Sequence, residues 1–280
     1  MAEVVRLVAS GFEALEGPVV DEAGDLYVAD LRAGGIHRYR PGSGSDLVVG
    51  ERTGVGGMAL HAEGGLVASG ASLVHLRNGT ARSLLDLADL RGPDAAGFND
   101  LAADPQGRVL AGVLRRDGEG APMPGSLVRV SGPHDYEVLH DDIHPNGIAF
   151  TPDGERLYVA DTFRRRILVF SSAGDDLRPV DAISTGGVPG LPDGLAADID
   201  GGIWVAFYRG GCIARFDRDG TVRSVIEMPC PKPLSLCFAG PESTELYVVS
   251  GRSEAGATDT GSIYLVEVGG RGAPVHAVSV

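Results

Sequence analysis

Short apolar runs alternate with polar turns along the whole chain. Residues 144–162 show the pattern clearly, because an apolar run at 148–150 is followed by the turn Pro152–Gly154. A second apolar run then covers residues 157–160 and ends on Asp161. Runs of this length bounded by Gly, Pro and Asp are typical of two antiparallel strands joined by a tight turn. The segment therefore predicts a β-hairpin.

This hairpin pattern recurs six times, and a third strand-like run follows each copy. The residues at the same place in the six turns are Gly24, Gly64, Gly107, Gly154, Gly201 and Ser243. A period of roughly 40–50 residues with several strands is typical of a β-propeller, whereas an irregular β-sandwich would not repeat its turns so regularly. We predict an all-β fold, a six-bladed β-propeller with four-stranded antiparallel blades around a central channel, as a single domain over residues 1–280.

Both ends of the chain carry strand-like runs, at residues 3–8 and 274–280. Since a propeller must close its ring, we expect one terminal strand to complete the last blade as its outermost strand. Residues 82–90 have some helical spacing but fit an outer strand followed by a loop equally well. Loops on one face of a propeller surround the channel mouth. The long connections, which are therefore candidates for substrate contacts, are 91–97, 114–124, 184–192 and 251–260.

The chain is acidic, with 38 Asp and Glu residues against 24 Lys and Arg and a net charge of −14. Nucleic acids and anionic membranes need a basic patch, so we expect neither as a partner. The N-terminal segment lacks the pattern of a signal peptide, and no apolar run reaches membrane-spanning length. The three cysteines, Cys212, Cys230 and Cys237, have no CxxC spacing, which argues against a thiol zinc site and favours a reducing compartment. We expect a cytoplasmic protein, a monomer or weak homodimer, that binds a small molecule.

Polar residues recur at one position of the repeat, eight residues before the turn residue. We call this the axial position, because equivalent residues at the start of innermost strands lie on a circle around the propeller axis. Four copies have a carboxylate or amide side chain there, namely Glu16, Asn99, Asn146 and Asp193. The other two copies have Gly56 and Ser235.

Polar groups at the start of apolar strands must be paired, solvated or bound to a metal. Two carboxylates and two amide oxygens suit Ca²⁺, Mg²⁺ or Mn²⁺ better than a thiophilic ion, and leave coordination positions for water or substrate. Asn-Gly and Asp-Gly pairs are also common in turns. The shared offset in four copies favours a metal site over this alternative.

The motifs around the axial positions occur in a fixed order along nearly the whole chain. They are EGPVV (16–20), FNDLAADPQGRVLAG (98–112), NGIAFTPDGERLYVADT (146–162), PDGLAADIDGGIWVAFYRGG (192–211) and the run 233–250. In this order they resemble the regucalcin/gluconolactonase family of six-bladed propeller lactonases. The resemblance implies hydrolysis of a lactone, typically a sugar lactone, to a hydroxy acid.

The resemblance also implies one divalent cation in the channel, Ca²⁺ first, with Mg²⁺, Mn²⁺ or Zn²⁺ as alternatives. Its ligands would be Glu16, Asn146 and Asp193, and Asn99 would be a fourth ligand or a substrate contact. Asp193 would serve as the acid/base residue. The sequence departs from the family at Gly97, where sugar lactonases commonly carry an arginine that binds substrate hydroxyls. Arg91 and Arg115 are the alternatives for that role.

Three further residues are candidate substrate contacts. Asp100 follows Asn99 directly, and its alternative role is to cap a turn. His144 precedes the Asn146 motif, and histidines titrate near neutrality, as a proton shuttle requires, but a loop histidine without a role fits as well. Tyr208 follows the WVAF strand, where packing is the alternative. By contrast, Asp30 and Asp161 end the second strands of their blades, which favours structural hydrogen bonds.

Three functions are consistent with these features. The first is a metal-dependent hydrolase that opens a lactone or a related ester. The second keeps the ion but catalyses cyclisation or isomerisation in a biosynthetic pathway, for which a less polar pocket at Gly97 is suited. The third is a non-catalytic calcium-binding or interaction propeller, since fold alone does not fix function. Neither a GxSxG motif nor a phosphate-binding loop occurs in the sequence, which argues against serine hydrolases and nucleotide-binding proteins.

Overall fold

The computed structural model describes residues 4–90, 94–172, 176–254 and 257–280. It contains six antiparallel sheets of four strands each. The innermost strands of successive blades contact one another around a closed ring, and the last contacts the first. These observations confirm the predicted six-bladed β-propeller.

The N-terminal strand β1 (Val5–Phe12) belongs to the last blade, and the first three complete blades follow it along the chain. Blade 1 contains β2 (Leu15–Val20), β3 (Leu26–Asp30), β4 (Ile36–Arg40) and β5 (Gly44–Val49). Blade 2 contains β6 (Met58–Leu60), β7 (Leu66–Ala68), β8 (Ser72–Arg77) and β9 (Thr80–Asp86). Blade 3 contains β10 (Ala95–Ala103), β11 (Val109–Arg116), β12 (Pro122–Gly132) and β13 (Asp135–Ile143).

The remaining strands form blades 4 to 6 in the same order, from the channel outwards. Blade 4 contains β14 (Pro145–Phe150), β15 (Arg156–Asp161), β16 (Arg166–Ser171) and β17 (Arg178–Ser184). Blade 5 contains β18 (Leu191–Ala197), β19 (Ile203–Tyr208), β20 (Cys212–Phe216) and β21 (Val222–Glu227). Blade 6 contains β22 (Pro233–Phe238), β23 (Glu245–Ser250) and β24 (Gly261–Glu267), with β1 as its outermost strand.

The six predicted turns are confirmed at the level of single hydrogen bonds. In every repeat, the backbone N–H of the predicted turn residue donates to the carbonyl oxygen of the residue three positions earlier. The five glycines among them have positive φ angles, a conformation in which a Cβ is unfavourable. The glycine-rich turns therefore follow from local backbone requirements.

The two chain ends behave differently. Strand β1 pairs antiparallel with β24 and completes blade 6, which confirms the predicted closure by a terminal strand. The prediction of a strand at 274–280 is wrong, because this segment forms only an isolated bridge between His61 and Val278. Since β1 already occupies the outer edge of blade 6, the C-terminal segment instead buries Val278 against the inner hairpins of blades 2 and 3.

The hydrophobic core lies between adjacent blades rather than within one blade. For example, Leu84 and Leu85 of blade 2 pack with Phe98, Val109 and Val128 of blade 3. Each sheet is therefore buried on both faces near the channel, and its edge becomes exposed only at the outermost strand. This arrangement holds the innermost strands in fixed positions around the channel.

Helical structure is limited to 3₁₀ turns at Leu87–Asp89 and Thr162–Arg164 in the described residues. The first of these follows β9, which confirms the outer-strand interpretation of residues 82–90. Neither turn comes near the length and apolarity of a membrane-crossing helix. Cys212 and Cys230 are buried, and Cys237 is partly exposed; all three are free thiols.

Candidate metal centre in the central channel

The axial positions coincide with irregularities in the innermost strands. Strand pairing is interrupted immediately after Glu16, across Asn99, across Asn146 and across Asp193. Such bulges leave residues unpaired and re-aim their side chains, and they are frequent beside functional sites. In these four blades, the repeated offset in the sequence therefore identified the place where regular pairing stops.

Innermost strands approach each other very closely at the same level. The residue after the axial position is glycine in four blades, at 17, 57, 147 and 194. A Cβ on Gly147 would lie 2.5 Å from the carbonyl oxygen of Asp193, and one on Gly57 would lie 2.7 Å from Asp100 Cα. Backbone contact between neighbouring blades thus brings the axial side chains together. In blade 3 the equivalent residue is Asp100, which adds a third carboxylate.

The three carboxylates at this level, Glu16, Asp100 and Asp193, are 9%, 8% and 5% exposed. Burial raises the pKa of Glu16 well above its usual range, and the charges of Asp193 and Asp100 raise it further. Burial likewise raises the pKa of Asp100 to about 7. Burial and the charge of Asp100 raise the pKa of Asp193 well above its usual value, although a hydrogen bond from Asn146 opposes the shift.

Burial and the neighbouring carboxylates raise these pKa values, and no charge of a described lysine or arginine lowers them. Buried negative charge without a cationic partner is strongly unfavourable, so the carboxyls must either bind protons or bind a cation. The donor set, carboxylate and amide oxygens, matches the preference of hard divalent cations. The residues present therefore fit a divalent cation at this level of the channel.

The two axial asparagines use their amide nitrogens within the protein. Asn99 Nδ2 donates to the carbonyl oxygen of Pro145 at 3.0 Å, and the side chain of Asn146 hydrogen-bonds to Asp193. Each amide therefore keeps its Oδ1 as an available acceptor. Asn99 Oδ1 lies against Gly56, only 2.5 Å from where a Cβ on that glycine would be. The absence of a side chain at the axial position of blade 2 makes room for Asn99.

The other predicted substrate contacts lie at different places. Asp100 lines the channel, whereas the ring of His144 lies beside Asp161, with Nδ1 at 3.6 Å from Oδ1, and packs edge-on against Phe163 at 4.9 Å. Tyr208 ends β19 on the face where the innermost strands begin, which we call the mouth face. The roles of all three in substrate binding remain predictions.

Gly97 and Arg115, at and near the place of the family arginine, both lie in blade 3. Gly97 is buried and pairs with Leu114 in blade 3, and Arg115 pairs with Ala95 one step further out. Arg91 lies outside the described residues. Position 97 therefore has no side chain that could bind a substrate hydroxyl, and the protein differs from the family's sugar lactonases there.

The structural role expected for Asp30 and Asp161 is confirmed. Asp30 accepts hydrogen bonds from the backbone N–H groups of Glu13 and Ala14, three and two residues before the axial residue Glu16. Asp161 accepts from the backbone N–H of His144. Ser69 does the same in blade 2, because its Oγ accepts from Gly56 and Gly57. Sequence reasoning missed Ser69, although it also closes the second strand of its blade.

A cavity of about 340 Å³ continues along the channel. Residues from all six innermost strands line it, Asp100 and Ser235 among them. Residues 273–277 of the C-terminal segment line it as well, and the backbone N–H of Ala273 donates to the carbonyl oxygen of Ala197 at the far end of β18. The site thus lies between the mouth face and a channel whose far end is covered by the chain's own C-terminal segment.

A separate cluster lies at the periphery, where ligand atoms of Asp86, Asp89 and His134 are all within 4.8 Å of one another. His134 Nδ1 is 2.7 Å from Asp89 Oδ2, and the same Asp89 oxygen accepts from the backbone N–H of Asp86. Hydrogen bonds within the cluster account for these contacts.

The fold and site define the protein as a six-bladed β-propeller with buried carboxylates in its central channel. The family described as "SMP-30/Gluconolactonase/LRE-like region" matches residues 15–252, and the chain belongs to this family. The pentonolactonase XacC of Haloferax volcanii is 31% identical over 290 residues, which cover 97% of this chain and 96% of that protein. The 6-deoxy-6-sulfogluconolactonase of Pseudomonas putida is 32% identical over 242 residues, covering 84% and 81%. A luciferin-regenerating enzyme has the same fold, with a TM-score of 0.85 at 23% identity and 100% coverage of both chains.

Proposed function

We propose that this protein is a divalent-metal-dependent lactonase that opens a cyclic ester to a hydroxy acid. The observation that carries the proposal is the convergence of three buried carboxylates and two amide side chains in the channel, where no charge of a described lysine or arginine lowers the carboxyl pKa values. The lactonase names of the two relatives support a lactone as the substrate. The channel position supports a small substrate that enters from the mouth face.

Glu16, Asn146 and Asp193 would hold the cation, and Asn99 Oδ1 is the fourth candidate ligand. Oxygen donors of this kind favour Ca²⁺, although Mg²⁺ and Mn²⁺ accept the same donors. A cation bound there would act as a Lewis acid toward the lactone carbonyl. The amide nitrogens of the two asparagines are already hydrogen-bonded, which fixes the direction of their oxygens.

Asp193 is the proposed acid/base residue. One oxygen of its carboxylate would face the cation, and the other would accept a proton from the water that attacks the carbonyl carbon. When the bond between that carbon and the ring oxygen breaks, Asp193 returns the proton to the leaving oxygen. The net reaction adds one water molecule and yields a carboxylic acid and a hydroxyl group. Asn99 and Asp100 would contact hydroxyl groups of the bound lactone.

The proposal is tested by assaying pentonolactones and hexonolactones with the wild type, Asp193→Asn and Ser235→Ala. Asp193→Asn keeps the shape of the side chain but removes its basicity, so we expect hydrolysis to fall by about 100-fold or more. Ser235→Ala alters the axial position of blade 6, which has no proposed ligand, and should stay within a few-fold of the wild type. Near-normal hydrolysis by Asp193→Asn would exclude Asp193 as the acid/base residue.

A further inference from the structure

Two cationic side chains from neighbouring blades contact the same aromatic ring on the mouth face. The guanidinium carbon of Arg209 lies 5.2 Å from the centroid of the Tyr208 ring. Lys232 Nζ lies 5.9 Å from the same centroid. Tyr208 ends β19 in blade 5, and Lys232 directly precedes β22, the innermost strand of blade 6. The electron-rich face of an aromatic ring attracts cations at such distances.

Neither Arg209 nor Lys232 forms an ion pair with an acidic residue in the part of the chain that the structure describes. Other arginines on the same face do have acidic partners. Arg252 contacts both carboxylate oxygens of Glu13, at 2.8 and 2.9 Å, and Arg164 contacts Asp142 at 2.7 Å. In a chain with 38 acidic residues against 24 basic ones, these two cations leave a local positive charge that no acidic residue among those described neutralises.

The position of this pair relative to the metal centre is set by the strands. Tyr208 pairs with Leu191, two residues before Asp193 on β18. Lys232 lies three residues before the axial residue Ser235. Two to three residues of strand correspond to roughly 7–10 Å. The cations therefore lie nearer the mouth than the carboxylates by about the length of a sugar lactone.

We propose that Lys232 and Arg209, held by Tyr208, form a subsite for an anionic group on the substrate, at the end remote from the lactone carbonyl. This inference rests on the proposed lactonase function and specifies its substrate class as lactones with a terminal carboxylate or sulfonate. Charge-assisted hydrogen bonds to such a group are stronger than neutral ones. The substrate would bind with its carbonyl inward, at the proposed cation, and its anion toward the mouth.

The subsite is tested with a hexonolactone that ends in a hydroxymethyl group and with its counterparts that end in a carboxylate or a sulfonate. Lys232→Met removes the ammonium group but keeps most of the apolar stem. Arg209→Asn is the second variant, because Arg209 has a φ of 59° and asparagine tolerates that conformation. Arg32→Gln is the matched control, since Arg32 is an exposed residue of blade 1 on the same face and the substitution removes the same charge.

We expect Lys232→Met to lower kcat/KM for both anionic lactones, relative to the hydroxymethyl lactone, by about ten-fold or more. Arg209→Asn should act in the same direction, and Arg32→Gln should leave the ratio unchanged. Hydrolysis of the hydroxymethyl lactone should be similar in all four proteins. A ratio that stays unchanged in both Lys232→Met and Arg209→Asn would overturn the subsite while leaving the lactonase proposal intact.

If the wild type hydrolyses none of these lactones, the proposed function fails, and the subsite is then judged by binding alone. The probe is the open-chain dicarboxylate that corresponds to the carboxylate-bearing lactone, titrated calorimetrically into the wild type, Lys232→Met and Arg32→Gln. Weaker binding to Lys232→Met than to the other two proteins supports the subsite. Equal affinity in all three, or no binding to any, overturns it.

Discussion

Gly56 shows how a residue without a side chain can define a site. It occupies the axial position of blade 2, and Asn99 Oδ1 from blade 3 fills the space beside it. Ser69 Oγ holds the backbone N–H groups of Gly56 and Gly57, so this glycine cannot easily move away. The place of Asn99, a candidate metal ligand and substrate contact, therefore depends on the absence of a Cβ in the neighbouring blade.

We predict that Gly56→Ala weakens cation binding by about ten-fold or more, which is the usual effect of disturbing a residue that orients a ligand. The new Cβ would lie 2.5 Å from Asn99 Oδ1 and 3.3 Å from Asn99 Cα, so Asn99 has to shift. The measurement is calcium titration of metal-stripped protein by calorimetry. Gly187→Ala is the control, because a Cβ there would meet no atom within 4 Å. Equal calcium affinity in both variants and the wild type would show that Asn99 does not contribute to the centre.

At the residue scale, the sequence predicted which side chains lie near the propeller axis, but not the hydrogen bonds and contacts that they make with neighbouring blades. The common offset from the turn found Glu16, Asn99, Asn146 and Asp193, because a rotational repeat places equivalent positions around one axis. The hydrogen bond from Asn99 to Pro145 joins residues of different blades. Lys232 reaches Tyr208 across a blade boundary as well. Contacts of this kind depend on the packing of blades, which carries no local sequence signal.

The hairpin turns are the elements that the sequence predicted best, and the turn of blade 2 begins with a titratable side chain, that of His61. In blades 1, 3 and 5 the residue that begins the turn is an aspartate, whose Oδ1 accepts from the backbone N–H two residues later. In blade 2 this acceptor is Nδ1 of His61, at 3.1 Å from the backbone nitrogen of Glu63. The ring also stacks on His75 at 3.7 Å. An accepting Nδ1 requires the neutral form of the imidazole.

This turn should make stability depend on pH. Burial lowers the pKa of His61, and the neighbouring His75 and Arg82 act in the same direction, while Glu63 and the carbonyl oxygen of Val280 oppose the shift. The unfolded chain therefore binds a proton at a higher pH than the folded one. The stabilisation is complete above the unfolded pKa of about 6.5 and is lost as the pH falls through the lower folded value.

We predict that the free energy of unfolding of the wild type decreases more between pH 8 and pH 5 than that of His61→Asn. Asparagine offers an acceptor oxygen at the same place but does not titrate in this range. The measurement is urea unfolding at several pH values. Parallel pH dependence in the two proteins would exclude His61 as a source of the effect.

Strand edges explain where the element predictions failed. The apolar alternation at 274–280 resembles a strand, and the run at 3–8 resembles one equally well. Only one of them can add to the exposed edge of β24, and β1 does so. Competition for one edge is decided by the length of the preceding loops and by the closure of the ring, neither of which appears in a local pattern.

At the scale of the whole molecule, the C-terminal segment lies across the end of the channel opposite the mouth and is anchored to other blades there. Val278 is fully buried between the inner hairpins of blades 2 and 3, while Val275 is 72% exposed. Backbone hydrogen bonds link Val278 to Leu60 and Ala62, and Ser279 to Gly107. The segment thus connects blades that are far from blade 6 in the ring.

We predict that Val278→Ala lowers the free energy of unfolding by about 2 kcal/mol, because it removes buried apolar surface and leaves a gap. Val275→Ala makes the same chemical change at an exposed position of the same segment and should shift stability by less than about 0.5 kcal/mol. Urea unfolding of both variants measures the difference. Equal, small effects would show that the segment is not anchored across the channel end.

The central claim is that lactone hydrolysis depends on a cation held by the axial side chains. Its most direct test is to strip the wild-type protein with a chelator and assay lactone hydrolysis before and after Ca²⁺, Mg²⁺, Mn²⁺ or Zn²⁺ is restored. We predict that hydrolysis disappears on stripping and returns with an ion that prefers oxygen ligands, first of all Ca²⁺. Undiminished hydrolysis by the stripped protein would contradict this account.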